Sequence, residues 1–210
     1  VLYTPSEDAD MNLKREGIPP EKIVRVGNVM IDSLVKLLPL AQPQSRNGFP
    51  ERYALVTLHR PANVDDSARL KSILQSLLEV NRDLSVVFPA HPRTRQRISD
   101  FGLNAEHLRL LDPLPYVDFL GLQARATVVI TDSGGIQEET TYLGVPCLTL
   151  RENTERPVTV SLGTNVLVGR DPDKLRSELS LVLAGKAKKG TVPPLWDGHA
   201  GERIAAQLAG

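Results

Sequence analysis

The chain has 210 residues, 41% of them hydrophobic, and its 25 basic side chains are balanced by 25 acidic ones. That is enough apolar matter for a core, with no global charge bias toward a nucleic acid or an anionic surface. The basic residues are scattered, the aromatics are only four Phe, four Tyr and one Trp, and no apolar run approaches the roughly 20 residues that cross a bilayer, so neither nucleic acid nor membrane is an expected partner.

The opening, VLYTPSEDADMNLKREG, has no initiator Met and no signal-peptide layout, and it reads as the interior of something longer. A single cysteine, Cys147, rules out an internal disulfide, which makes the cytoplasm the expected compartment. Residues 1–36 spell two short helical stretches, SEDADMNLKREG and NVMIDSLVKLL, flanking a strand, IVRV, that ends at Gly27. Next comes LPLAQPQSRNGFPE, whose prolines and Asn-Gly pair mark a linker, with a boundary near residues 39 to 51. Residues 1–41 are then a leading remnant with a linker helix, and 42–210 one complete domain.

Within that domain, apolar runs alternate with longer segments of helical period. The expected strands are YALVTL (53–58), LSVVFPA (84–90), LRLLD (108–112), ATVVIT (126–131), PCLTL (146–150) and NVLVG (165–169). Between the first two, Leu70, Ile73, Leu74, Leu77 and Leu78 recur at the spacing of one helix face. Strand-helix-strand order implies right-handed parallel crossovers, and strands apolar throughout imply a sheet covered on both faces. The expected fold class is α/β, a doubly wound parallel sheet of Rossmann-like type, closed by the helix AGERIAAQLA.

Ligands of such sheets bind beyond the carboxyl ends of the strands. The residues there are His59-Arg60-Pro61, His91-Pro92-Arg93, Pro113 to Phe119, Asp132 to Glu139 and Arg151 to Arg156. Ser133-Gly134-Gly135 follows a strand and opens the helix IQEETTYL, which Gly144 stops. Two explanations stand side by side. Bare N–H groups at a helix amino end suit an anion such as phosphate, or Asp132 or Ser133 merely caps the helix and the glycines make a tight turn.

Glu138 and Glu139 satisfy the helix dipole, or one of them accepts hydrogen bonds from a ribose diol. Lying about 100° apart around the helix, only one faces a given ligand. Arg151 and Arg156 suit phosphate or carboxylate, against surface salt bridges with Glu152 or Glu155. His59 and His91 are structural, or reach one ligand from adjacent strands. With four scattered histidines and no HExxH or CxxC, no metal site is expected.

LVTLHRP, DSGGIQEETTYLGVPCLTLR and NTERP in this order, with GNVMID upstream and GERIA near the end, closely resemble the non-hydrolysing UDP-N-acetylglucosamine 2-epimerases along essentially the whole chain. The resemblance implies the carboxyl-terminal, nucleotide-binding lobe of a GT-B architecture, preceded by the tail of the first lobe. It implies an isomerase that turns UDP-GlcNAc into UDP-ManNAc by eliminating and re-adding UDP, without a cofactor, as a homodimer serving cell-surface polysaccharide biosynthesis. Residue by residue, Ser133, Gly134 and Gly135 would bind the pyrophosphate, Glu139 the ribose hydroxyls and Arg156 a phosphate. Phe119 would contact uracil, and His59 would act at the diphosphate as the catalytic residue of this lobe.

The chain departs from the family where it reads HRPAN instead of HRREN. Ala62 stands where some bacterial members use a glutamate to hold a second UDP-sugar. The carboxylates that remove the C2 proton would lie upstream of Val1. Two alternatives are a GT-B glycosyltransferase using a UDP-sugar, and a UDP-binding module that does not turn over.

Overall fold

The computed structural model describes residues 1–41 and 49–209. The chain opens with two three-residue strands paired in parallel, β1 (Leu2–Thr4) and β2 (Ile23–Arg25). Helix α1 (Glu7–Arg15) joins them and α2 (Val29–Leu37) follows. Both helices and β2 fall where the sequence predicts them, whereas β1 is too short to show a period. Most of the expected linker, 42–48, lies outside the described residues.

Each of the six expected apolar runs contains a strand: β3 (Tyr53–Thr57), β4 (Ser85–Pro89), β5 (Arg109–Leu111), β6 (Val128–Thr131), β7 (Cys147–Thr149) and β8 (Asn165–Leu167). They form one sheet in the order β5-β4-β3-β6-β7-β8, every neighbouring pair parallel. The chain winds outward from β3 to β5, returns to the middle, and winds outward again from β6. Strand order therefore reverses between β3 and β6, and a doubly wound sheet opens a crevice at that point.

Between the strands run α3 (Pro61–Val64), α4 (Ser67–Asp83), α5 (Pro92–Asp100), α6 (Tyr116–Gln123), α7 (Gly134–Leu143), α8 (Pro157–Ser161) and α9 (Pro172–Leu183). Strand side chains alternate between two cores, as a pleat requires. Ala54, Val56, Val86, Phe88, Val128 and Ile130 pack with α4 and α9 on one face. Tyr53, Leu55, Val87 and Val129 pack on the other, against Phe119 and Leu122 of α6 and Ile136 and Leu143 of α7. Burying each large aliphatic side chain contributes about 1.5–3 kcal/mol. On α4, Leu78 lies at the edge of its core and Val80 takes the last buried place.

After α9 the chain crosses back to its beginning and ends in α10 (Ala200–Ala209), which packs on α2. Asp32 of α2 caps α10, accepting from the backbone N–H of Ala200 at 3.0 Å and of Gly201 at 2.6 Å. Trp196 is 2% exposed and packs with Ile31 and Val158, while its indole N–H donates to the Pro5 carbonyl at 2.9 Å. At the crossing, Gly27 has φ +93° and any Cβ there would collide with the Leu195 carbonyl, so only glycine passes. Among the described residues, no helix is long and apolar enough to cross a membrane.

Trp196 carries the apolar contact and one hydrogen bond of this return crossing. Trp196→Ala should therefore cost about 3–5 kcal/mol of unfolding free energy, measured by urea denaturation. A loss below about 1 kcal/mol, the size of an average substitution, would show that the crossing is not held there.

Candidate functional site

Asp132 leaves β6 with no exposed surface, so its carboxylate must be satisfied from within. It accepts from the backbone N–H of His59 at 3.2 Å and of Arg60 at 3.0 Å, and from Asn63 Nδ2 at 3.0 Å. His59 Nδ1 lies 3.1 Å from Oδ1, the oxygen that its own backbone N–H reaches. All these donors follow β3, so one carboxylate ties the two strands of the switch point together at their carboxyl ends. Burial pushes the Asp132 carboxyl up, but hydrogen bonds from His59, Asn63 and the Arg60 backbone outweigh it and hold it below the ordinary value of 3.8.

Asp132 thus does not cap α7, and neither does Ser133. Ser133 occupies the N-cap position, its side chain makes no capping bond, and its own N–H goes to Thr131 Oγ1 at 3.0 Å. Gly134 and Gly135 form the first turn of α7, and neither has a positive φ. A Cβ built on either would meet nothing within 4 Å. The fold itself therefore has no need of glycine at these positions, and a tight turn does not explain them. The amino end of α7 presents its first N–H groups to an open surface. Gly144, at φ 71°, ends the helix in the expected left-handed cap.

Alpha-helix α7 is polar where it should be apolar: Gln137, Glu138, Glu139, Thr140 and Thr141 are all buried. The two glutamates diverge as their spacing requires. Glu138 pairs with Arg156 Nε at 2.8 Å. Glu139 accepts from the Tyr116 hydroxyl at 2.9 Å, and its Oε2 is buried without a hydrogen-bond partner among the described residues. Burial pushes both carboxyls above their usual range, offset in part by the Arg156 charge at Glu138 and by the Tyr116 hydroxyl at Glu139.

The arginines separate as well. Arg151 makes a two-pronged bond to Glu155, 2.7 Å on each arm, which is the salt-bridge alternative. Hydrogen bonds from Arg151 hold the Glu155 carboxyl down at about 2. Arg156 turns instead to Glu138 and keeps 43% of its side chain exposed. It lines a cleft of about 400 Å³ together with Tyr3, Asn28 and Trp196.

The two rim histidines have different partners. His59 faces Asp132 and keeps 45% of its side chain exposed, whereas His91 Nδ1 accepts from the Arg93 N–H at 3.2 Å and caps α5. Phe119 lies one turn after Tyr116 on α6 and is half-buried against the core under β3. Among the described residues, no group of three His, Cys, Asp or Glu is placed to hold a metal ion.

The model of the family described as UDP-N-acetylglucosamine 2-epimerase matches residues 1–209. The chain belongs to the UDP-N-acetylglucosamine 2-epimerase family. It is 40% identical to the family's protein from Methanocaldococcus jannaschii, over 99% of this chain and 60% of that one. The crystal structure of M. jannaschii UDP-GlcNAc 2-epimerase in complex with UDP-GlcNAc and UDP superposes with a TM-score of 0.89. The Neisseria meningitidis UDP-GlcNAc 2-epimerase bound to UDP-GlcNAc superposes at 0.85, with 30% identity over 99% of this chain and 60% of that one. A Pseudomonas aeruginosa protein named UDP-2,3-diacetamido-2,3-dideoxy-D-glucuronate 2-epimerase is 39% identical over 100% of this chain and 59% of its own length. The chain thus spans about 60% of the length of these relatives. The fold is the Rossmann-like α/β class of the family's GT-B neighbours.

Because the Asp132 carboxyl lies below its unfolded value of 3.8, the stability it contributes is present above about pH 4 and drains away as the pH falls through the folded value. Asp132→Asn should lower the unfolding free energy at pH 7 by about 1–3 kcal/mol, and the gap to wild type should narrow below about pH 4. Urea titrations at several pH values measure both. A gap that is constant with pH would contradict the assignment of the charge.

Proposed function

We propose that this chain is the UDP-gripping half of an epimerase that interconverts UDP-GlcNAc and UDP-ManNAc. In this reaction a base takes the C2 proton as the C1–O bond to UDP breaks, leaving 2-acetamidoglucal and free UDP. UDP then re-adds at C1 while C2 is protonated on its opposite face. Negative charge grows on the departing diphosphate, so groups that hold it lower the barrier.

The observation that carries this proposal is the pair Gly134 and Gly135 at the amino end of α7, beside the switch point, with no side chain and no structural need for glycine. Missing side chains there let an anion reach backbone N–H groups directly. Around that point we assign Ser133, Gly134 and Gly135 to the pyrophosphate, with Arg156 and His59 as further donors. A preorganised donor of this kind is worth on the order of 3 kcal/mol of barrier. Glu139, whose buried Oε2 has no hydrogen-bond partner among the described residues, is assigned to the ribose hydroxyls, and Phe119 to the uracil.

We assign residues 1–41 to the tail of the first lobe and 42–210 to the nucleotide lobe. The cleft between Asn28 and Arg156 is then the side facing the sugar. Uridine diphosphate is common to the names of the M. jannaschii and P. aeruginosa relatives while the sugar differs, which supports nucleotide binding as the task of this part.

Isothermal titration with UDP tests the assignment. Arg156→Ala should weaken binding by about 1.5–3 kcal/mol, the worth of a charge-assisted hydrogen bond. Gly135→Ala should weaken it at least tenfold, about 1.4 kcal/mol, and yet leave the fold as stable or up to about 1 kcal/mol more stable, because alanine favours a helix. Unchanged UDP affinity in Gly135→Ala would remove the central observation. A protein joining this chain to a first lobe should convert UDP-GlcNAc with no acceptor added; turnover only in the presence of an acceptor would move the assignment to a glycosyltransferase.

A further inference from the structure

We propose that Gln137 is a positioning residue: with Thr154 it fixes the loop carrying Arg156 to the same turn of α7 that presents the paired glycines, so that the two halves of the diphosphate grip keep one spacing. This rests on the nucleotide site proposed above and adds the device that holds it in register.

Gln137 is fully buried, and both ends of its amide are used. Nε2 donates to the Ser133 carbonyl at 3.1 Å. Oε1 accepts from Thr154 Oγ1 at 2.6 Å and from Asn165 Nδ2 at 3.0 Å. Thr154 Oγ1 in turn accepts from the Arg156 backbone N–H at 3.0 Å. Three hydrogen bonds therefore connect Ser133, beside the glycines, to Arg156.

The relay is anchored below. Asn165 of β8 also donates to Thr159 Oγ1 at 3.0 Å and accepts from Thr149 Oγ1 of β7 at 2.6 Å. The next residue of α7, Glu138, holds the Arg156 side chain. Arg156 is thus secured to one helix twice, its backbone through Thr154 and Gln137 and its guanidinium through Glu138.

The chemistry explains a glutamine here. The Ser133 carbonyl needs a donor, and the Thr154 hydroxyl and the Asn165 amide need an acceptor; one neutral side chain offers both. A glutamate would bring an ionised group into a fully buried position and lose the donor. An apolar side chain would take from the Ser133 carbonyl, the Thr154 hydroxyl and the Asn165 amide the hydrogen bond that each makes to Gln137. Grip geometry matters because charge stabilisation requires donors already in place when charge develops.

Titrating UDP into the full chain decides the matter. Thr154→Val, which removes the relay at its exposed end, should raise the Kd roughly tenfold, and Thr154→Ser should restore it. The double variant Thr154→Val with Arg156→Ala should bind no more weakly than Arg156→Ala, because the relay acts only through Arg156. Thermal midpoints of each variant confirm that the fold is intact, and Gln137→Met should repeat the loss of affinity. Wild-type affinity in Thr154→Val beside weakened Arg156→Ala would overturn the relay and spare the site, as would losses that add in the double variant. Wild-type affinity in both single variants would overturn the Arg156 assignment and the relay with it.

Discussion

A carboxylate with no access to water must find its hydrogen bonds inside the protein, and Asp132 finds them across the switch point of the sheet. Its donors, the His59 and Arg60 backbone, the His59 ring and the Asn63 amide, all lie directly after β3, the last of them on α3. Because β3 and β6 are neighbours, this single acceptor decides how the His59 loop sits beside the glycine-opened end of α7. The proposed diphosphate site lies between those two elements, so its width follows from the reach of one aspartate. The same bonds present the outer part of the His59 ring to solvent while its inner nitrogen faces Asp132.

The helix α7 shows what such a site costs a fold. A helix wedged between a sheet and its neighbours normally turns an apolar stripe to both, yet this one buries five consecutive polar residues. Some are satisfied locally, as where Thr141 donates to the Gln137 carbonyl at 2.8 Å. Glu139 is not, with one oxygen that has no partner among the described residues and a carboxyl displaced upward by burial. Ionised, such a group works against folding, and the penalty lessens as the pH falls through its folded value toward the ordinary 4.5. Polar groups kept in a core at a net cost are the mark of a surface built to meet something other than the protein itself.

Much of this was legible in the sequence for a physical reason. A parallel sheet covered on both faces writes apolar runs, and all six were visible with their ends nearly right; α4 announced its inner face through the spacing of its leucines. Because every strand end points to one rim, the candidate residues could be gathered before their contacts were known. What the sequence concealed were choices among partners. Asp132 read as a helix cap because capping is local, whereas its actual donors lie more than 65 positions earlier and become neighbours only when β3 pairs with β6. Arg156 had two glutamates close by in the chain but turned to Glu138, which the fold sets beside it. Gln137 carried a signal that went unused: a polar residue between two buried apolar strands must be spending its hydrogen bonds somewhere.

The crossing at the end of the chain has a consequence for how the protein is made. Trp196 donates to Pro5, a contact that spans 191 positions, and closing so long a loop is slow compared with forming the local βα units. The pocket that Ile31 and Val158 form for the indole is therefore filled only after the intervening strands are in place, and until then the apolar face of α2 is without its cover.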